Sequence, residues 1–218
     1  MIDVVTIERE YGSGAVTIAQ KVSARLGWDL WDQTLTDEIA RYLECDRGQV
    51  QMREEVPDPF YYRLFKAFLR GSFEGSLNTP NMKIADAEGI RQVTEKVIRR
   101  IADKGKAVIV GRGAAYYLHE RPCTLHVFIY APFEEKVRRL QSEGKSQADA
   151  VHLAETVDQD RTTFIKRHFG IDFPARQYFH LMINSTMGED AVVETIVSSL
   201  DGFAKGTPFL PNCFAKER

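Results

Sequence analysis

VVTIEREYGSGAVTIAQK, residues Val4 to Lys21, is the stretch around which the rest of the chain reads. Val4, Val5, Thr6 and Ile7 form a short β-branched run, which predicts a buried strand. Gly12 and Gly14 bracket Ser13, which predicts a turn. Ile18, Val22 and Leu26 recur every four residues, so a helix follows. Strand, glycine turn and helix together frame a phosphate-binding loop. Glycine lets backbone N–H groups converge on an anion, and the helix N-terminus adds partial positive charge. Such a loop ordinarily carries a lysine directly after its last glycine. Here Gly14 is followed by Ala15, Val16 and Thr17, so the glycines and the threonine are in register and the lysine is missing.

The 218 residues suffice for one α/β domain with a sizeable core and a small insertion. Hydrophobic residues make up 44% and charged residues 28%, the balance of a soluble globular protein. A formal charge of −2 gives no electrostatic footprint for a nucleic-acid polymer or an anionic membrane. No apolar run is long enough to span a bilayer, and no charged segment leads into an apolar signal core. Cys45, Cys123 and Cys213 fit neither a zinc pattern nor a disulfide framework, and the five histidines have no metal-ligand spacing. Together these features predict a cytoplasmic protein.

Gly27 is placed to stop the first helix. Trp28 to Trp31 then reads as a short strand with Asp32 just past its end. Asp32 is either a ligand-facing group at the carboxyl end of a parallel strand or a helix-entry residue. Thr34 and Asp37 are spaced to cap the helix bearing Leu35 and Ile39. Phe60, Leu64, Phe65 and Phe68 form an aromatic stripe at helical spacing, and Gly71 to Asn81 reads as a loop. A long helix with Ile90, Val93, Val97 and Ile101 on one face ends at Gly105.

Ala107 to Val110 reads as a second buried strand that runs into Gly111-Arg112-Gly113. Glycines clear space for close approach, and a guanidinium can pair with phosphate in a bidentate manner. Arg112 is therefore read as an anion ligand; the alternative is a tight turn with a solvated arginine. Leu125 to Tyr130 is a third strand, with Pro132 at the start of a helix whose first turn holds Glu134 and Glu135. Lys136, Arg138 and Arg139 on that helix read as a solvated face. Ser146 to Phe169 reads as a helical region carrying Asp158, Arg161, Lys166 and Arg167 near its end. His180 to Asn184 is the last strand, Glu189 to Leu200 the last helix, and the residues after Asp201 a tail. Strands alternating with helices predict a parallel sheet covered on both faces.

These motifs, in this order, resemble the cytidylate kinase-like family, relatives of cytidylate kinase among the P-loop nucleoside monophosphate kinases. The resemblance rests on I-E-R-E-Y-G-S-G (Ile7 to Gly14), L-W-D (Leu30 to Asp32) and the run from Gly89 to Ala114. It continues through His126 to Arg139, D-Q-D-R (Asp158 to Arg161) and Tyr178 to Ser185. It implies a P-loop fold over residues 1–205: a three-layer sandwich around a five-stranded parallel sheet. An acceptor-binding insertion would occupy residues 45–88, a lid residues 146–177 and a tail residues 206–218. It also implies ATP and Mg2+ as cofactors and small nucleotides as partners. Tyr11, Gly12, Ser13, Gly14, Ala15, Val16 and Thr17 would line the ATP phosphates, with Thr17 near the metal. Asp32 and Arg112 would hold the acceptor, and Arg161 and Arg167 would reach the transferring group from the lid. Two departures stand out: Ala15 replaces the loop lysine, and Val110 and Gly113 replace the aspartates that flank Gly-Arg in cytidylate kinases.

Phosphoryl transfer relies on positioning and charge neutralisation more than on covalent chemistry. Arg9, Arg112, Arg161 and Arg167 are the cations that could offset the missing lysine. Arg9 stands where the usual loop has its first glycine. It reads equally as a phosphate ligand or as a partner of Glu8 or Glu10, or a solvated side chain. The expected function is ATP-dependent transfer to a nucleoside monophosphate, with CMP or dCMP implied by the resemblance. The alternative is a degenerate module that binds a nucleotide or phosphate and senses it. A dinucleotide-binding fold fits less well, because the Gly-x-Gly-x-x-Gly spacing is missing.

Overall fold

The computed structural model describes residues 1–35, 37–39 and 87–204. Its five strands are β1 (Val4–Arg9), β2 (Asp29–Trp31), β3 (Ala107–Val110), β4 (Thr124–Tyr130) and β5 (Leu181–Asn184). They form one sheet in the order β2-β3-β1-β4-β5, and every pairing is parallel. The α-helices whose bounds are described are α1 (Ala15–Leu26), α2 (Ala87–Lys104), α3 (Ala114–Tyr117), α4 (Phe133–Ser142), α5 (Gln147–Phe169) and α6 (Glu189–Ala204).

Strand periodicity explains the layering. Successive side chains point to opposite faces, so Val4, Ala107 and Ile109 join one core and Val5, Ile7, Val108 and Val110 the other. The first core meets Val97, Ile98 and Ile101 of α2 and Phe164 and Ile165 of α5. The second meets Ile18 and Val22 of α1 and Val192 and Ile196 of α6. A sheet covered on both faces needs apolar residues at every position, which is why its strands read as unbroken runs. A third cluster joins Val137 and Leu140 of α4 to Ala150, Ala154 and Val157 of α5, with Tyr11 of the loop between them.

Several expected boundaries move. Trp28 lies outside β2, which is only three residues long. The helix after Asp32 begins at Gln33, so Thr34 is inside it; its hydroxyl donates to the Leu30 carbonyl at 3.2 Å instead of capping. Pro132 is the residue before α4 rather than its first residue. Residues 201–204 continue α6 rather than begin a tail. The region from 146 onward is one 23-residue helix, capped by Ser146, whose hydroxyl accepts the Asp149 N–H. Residues 45–86, including the aromatic stripe, Cys45 and most of the insertion, lie outside the described residues, as do residues 205–218.

Candidate functional site

The carboxyl ends of β1, β2 and β3 deliver Glu8, Arg9, Asp32 and Arg112 to one place. That is where open parallel sheets bind ligands. Helix α5 adds Arg161 from above. Glu8, Arg9, Arg112, Arg161, Ile165 and Phe173 enclose a space of about 10 Å³, room for roughly one water. A wide, shallow concavity of about 730 Å³ lies along the charged face of α2 (Gln92, Arg99, Lys104).

Arg112 is 2% exposed and ranks among the largest fully buried side chains, which overturns the solvated-turn alternative. Its φ of 61° is left-handed, between Gly111 at 67° and Gly113 at 71°. A non-glycine residue held there stores strain, and such strain gathers at functional sites. Gly111 has a specific reason to be glycine. A Cβ there would sit 1.7 Å from Arg9 Nη1, so the glycine admits the Arg9 guanidinium.

Arg9 is buried too, which removes the solvated reading. One of its Nη atoms is 4.0 Å from Asp32 Oδ1. Burial pushes the Arg112 pKa down to about 9, with repulsion from Arg9 second. Burial and Arg9 likewise push Arg161 down to about 10. Burial raises the Glu8 pKa against the pull of the surrounding arginines. Glu8 Oε1 has no hydrogen-bond partner among the described residues. Arginines whose charge is disfavoured by their surroundings would be relieved by an incoming anion.

A second network ties α5 to the loop. Asp158 Oδ1 accepts the Tyr11 N–H at 2.8 Å and Arg161 Nη1 at 3.1 Å. Its other oxygen accepts Lys136 Nζ at 3.0 Å, and Lys136 also lies 3.3 Å from Glu10 Oε2. Arg161 Nη1 donates to the Arg9 carbonyl at 3.2 Å. Arg139 Nη1 donates to the Ser13 carbonyl and, at 2.7 Å, to the Ser185 hydroxyl.

The loop itself follows the expected frame. Gly12 and Gly14 are left-handed at 73° and 75°, and Gly14 leads directly into α1. The first N–H groups of a helix point outward along its axis, and the first turn of α1 carries no acidic side chain to take them. Their glycines also serve packing. A Cβ on Gly12 would lie 3.1 Å from the Lys136 carbonyl, and one on Gly14 3.2 Å from Arg139 Nη1. Ser13 is buried and turns inward, its hydroxyl donating to the Glu10 carbonyl at 2.8 Å. Ala15 is buried, Val16 is half-buried, and Thr17 is exposed on the first turn.

The structure thus gathers Arg9, Asp32, Arg112 and Arg161. Arg167 is exposed on α5 and does not line the enclosed space. The expectation of a solvated face on α4 holds for Arg138, whose side chain is 69% exposed, and fails for its neighbours. Lys136 and Arg139 are 10% and 19% exposed and turn to the loop. The signal was available: Lys136 is four residues before Leu140, on the apolar stripe. Glu8, Glu10 and Ser185 were also missed, since single polar residues beside a strand carry no periodic signal.

Among the described residues no group of three His, Cys, Asp or Glu could hold a metal ion, and no helix is long and apolar enough to cross a membrane. The model of the cytidylate kinase-like family matches residues 4–187. Among solved structures, the chain is similar to an uncharacterized protein from Eubacterium ventriosum, at 20% identity and a TM-score of 0.65, covering 92% of this chain and 99% of that one. It is also similar to shikimate kinase from Bacteroides thetaiotaomicron, at 14% identity and a TM-score of 0.49, covering 92% and 99%. Deoxyadenosine kinase from M. mycoides matches at 10% identity and a TM-score of 0.43, covering 92% and 99%. No curated protein sequence matches.

Proposed function

The chain belongs to the cytidylate kinase-like family, and from that premise we propose that it transfers a phosphoryl group from ATP to a small phosphorylated acceptor, a nucleoside monophosphate such as CMP or dCMP. The observation that carries this is the burial of Arg9, Arg112 and Arg161 around the strand ends, in a cluster that an added anion would stabilise. Arg112 and Asp32 hold the acceptor. Arg161 neutralises charge on the group in transit, and Arg9 reinforces it from the first position of the loop. An acceptor phosphate is its own nucleophile, so no protein base is required.

The amides from Gly12 to Thr17 hold the ATP phosphates at the start of α1. The glycine cradle and the exposed Thr17 hydroxyl fit a hydrated Mg2+ that arrives with the nucleotide. Thr17 would hold that ion, which would supply positive charge against the charge developing on the transferred group. The enclosed space admits only about one water, so the lid helix and the strand ends must part to admit an acceptor.

Ala15 favours a second reading, a module that binds nucleotide without transferring phosphate. Incubation with ATP, Mg2+ and a panel of nucleoside monophosphates, followed by ADP formation, separates the two. Transfer predicts turnover that falls roughly a hundredfold in Arg112→Ala, the loss typical of one transition-state donor. Thermal stabilisation by ATP with no turnover on any acceptor would rule transfer out and leave the binding module.

A further inference from the structure

The loop has no lysine of its own, yet an ammonium stands against it from another element. Lys136 lies in α4 with its Cβ 3.1 Å from where a side chain on Gly12 would begin. Lys136 as a whole is only 8% exposed, and its two partners, Asp158 and Glu10, are both carboxylates. Nζ lies 3.0 Å from Asp158 Oδ2, while Oδ1 of the same carboxylate accepts the Tyr11 N–H at 2.8 Å. One carboxylate therefore separates this ammonium from the main chain of the loop. That carboxylate occupies a loop amide in the way a phosphate oxygen would.

We propose that Lys136 is the lysine that binds the ATP phosphates in this protein, supplied from α4 in place of Ala15. The inference rests on the reading of the Gly12–Thr17 loop as an ATP site. Asp158 and Glu10 hold the ammonium beside the loop. An arriving polyphosphate takes the Tyr11 N–H and the ammonium from Asp158. Asp158 keeps Arg161, 3.1 Å away, so the exchange leaves no buried carboxylate bare. Lys136 has four flexible methylenes, and a pivot at their far end is enough to move from a carboxylate to a phosphate on the same amide. Arg139 is less suited to this, since its guanidinium is committed to Ser13, Ser185 and Glu135.

An acyl-phosphate derivative of ATP tests this on the unaltered protein. The lysine amine beside the terminal phosphate attacks the acyl carbonyl. An amide forms, the acyl C–O bond to phosphate breaks, ATP leaves and the amine proton passes to solvent. Peptide mass spectrometry should find the acyl group on Lys136, suppressed by excess ATP, with exposed Lys21 labelled no more than by a nucleotide-free acyl phosphate. In parallel, Lys136→Gln should weaken ATP binding at least tenfold, and Ala15→Lys added to it should recover most of that loss. A structural role for Lys136 could not be rescued by a charge placed at Ala15. If ATP binds the unaltered protein but the label falls only on other lysines, the inference fails and the ATP site stands. If ATP neither binds nor labels, the ATP site itself fails and takes the inference with it.

Discussion

Gly111→Ala isolates the contact on which the arginine cluster is built. Two costs add. At a φ of 67° a Cβ is disfavoured by about 1 kcal/mol. The new methyl would also lie 1.7 Å from Arg9 Nη1 and 2.9 Å from Arg9 Cζ, so the guanidinium has to leave. Its side chain is 5% exposed and faces Asp32 at 4.0 Å, and breaking a buried ion pair costs about 3–5 kcal/mol. Departure also relieves the repulsion that Arg9 exerts on Arg112 and Arg161, so the low end applies. The total is then about 4 kcal/mol. Replacing Arg9 by Met first removes the atoms in the way, and Gly111→Ala should then cost only the backbone term of about 1 kcal/mol. Urea denaturation of the four proteins, followed by circular dichroism at pH 7, gives the coupling directly. A coupling of about 3 kcal/mol is expected, well above the ~0.5 kcal/mol scatter of independent sites. Equal cost in both backgrounds would refute the placement of Arg9 beneath Gly111.

Three further outcomes follow from the same contacts. Asp158→Asn keeps an acceptor for the Tyr11 N–H but turns a donor toward Lys136, so it should cost about 2 kcal/mol; a change in urea midpoint worth less than ~0.5 kcal/mol would contradict the latch between α5 and the loop. Arg139→Ala should cost about 2 kcal/mol through its bonds to Ser13 and Ser185, whereas Arg138→Ala, paired among the described residues with Glu135 at the surface, should stay within about 0.5 kcal/mol. His126, whose ring nitrogen meets the Thr6 hydroxyl at 2.7 Å, is held neutral by burial, with His180 second, at a pKa of about 3. The folded pKa lies below the unfolded one, so the unfolded chain takes up the proton first as pH falls below about 6.5. Stability should drop by about 2 kcal/mol between pH 7 and pH 5, and His126→Gln should flatten that part of the profile; an unchanged slope in the variant would place the titration elsewhere.

The fold was legible wherever burial writes a pattern. Ala107 to Val110 is apolar at every position because both faces of β3 are covered, and its bounds match the sequence reading residue for residue. Gly27 and Gly105 mark helix ends because only a left-handed residue closes those turns without strain. Thr34 misled because a threonine three residues before an aspartate signals a cap only if the helix starts after it; here it starts at Gln33. The site was legible in part. Arg112 stood out by its flanking glycines, although Gly111 makes room for Arg9 rather than for a ligand. Lys136 and Arg139 were hidden by their company, since three cations in four residues look like a wet surface until the partner helix α5 is known. Nothing local to Asp158 says that it will reach back to Tyr11, 147 residues earlier. Such a contact belongs to the topology, in which α5 crosses the ends of β1 and β3.

Phosphorus NMR of ATP, Mg2+ and CMP with the purified protein tests the transfer most directly. The γ-phosphate resonance should decay as the β-phosphate resonances of ADP and CDP grow in equal amounts, and Arg112→Ala should slow all three together. Spectra that stay constant for every nucleoside monophosphate offered, under conditions where ATP is bound, would contradict a kinase built on this arginine cluster.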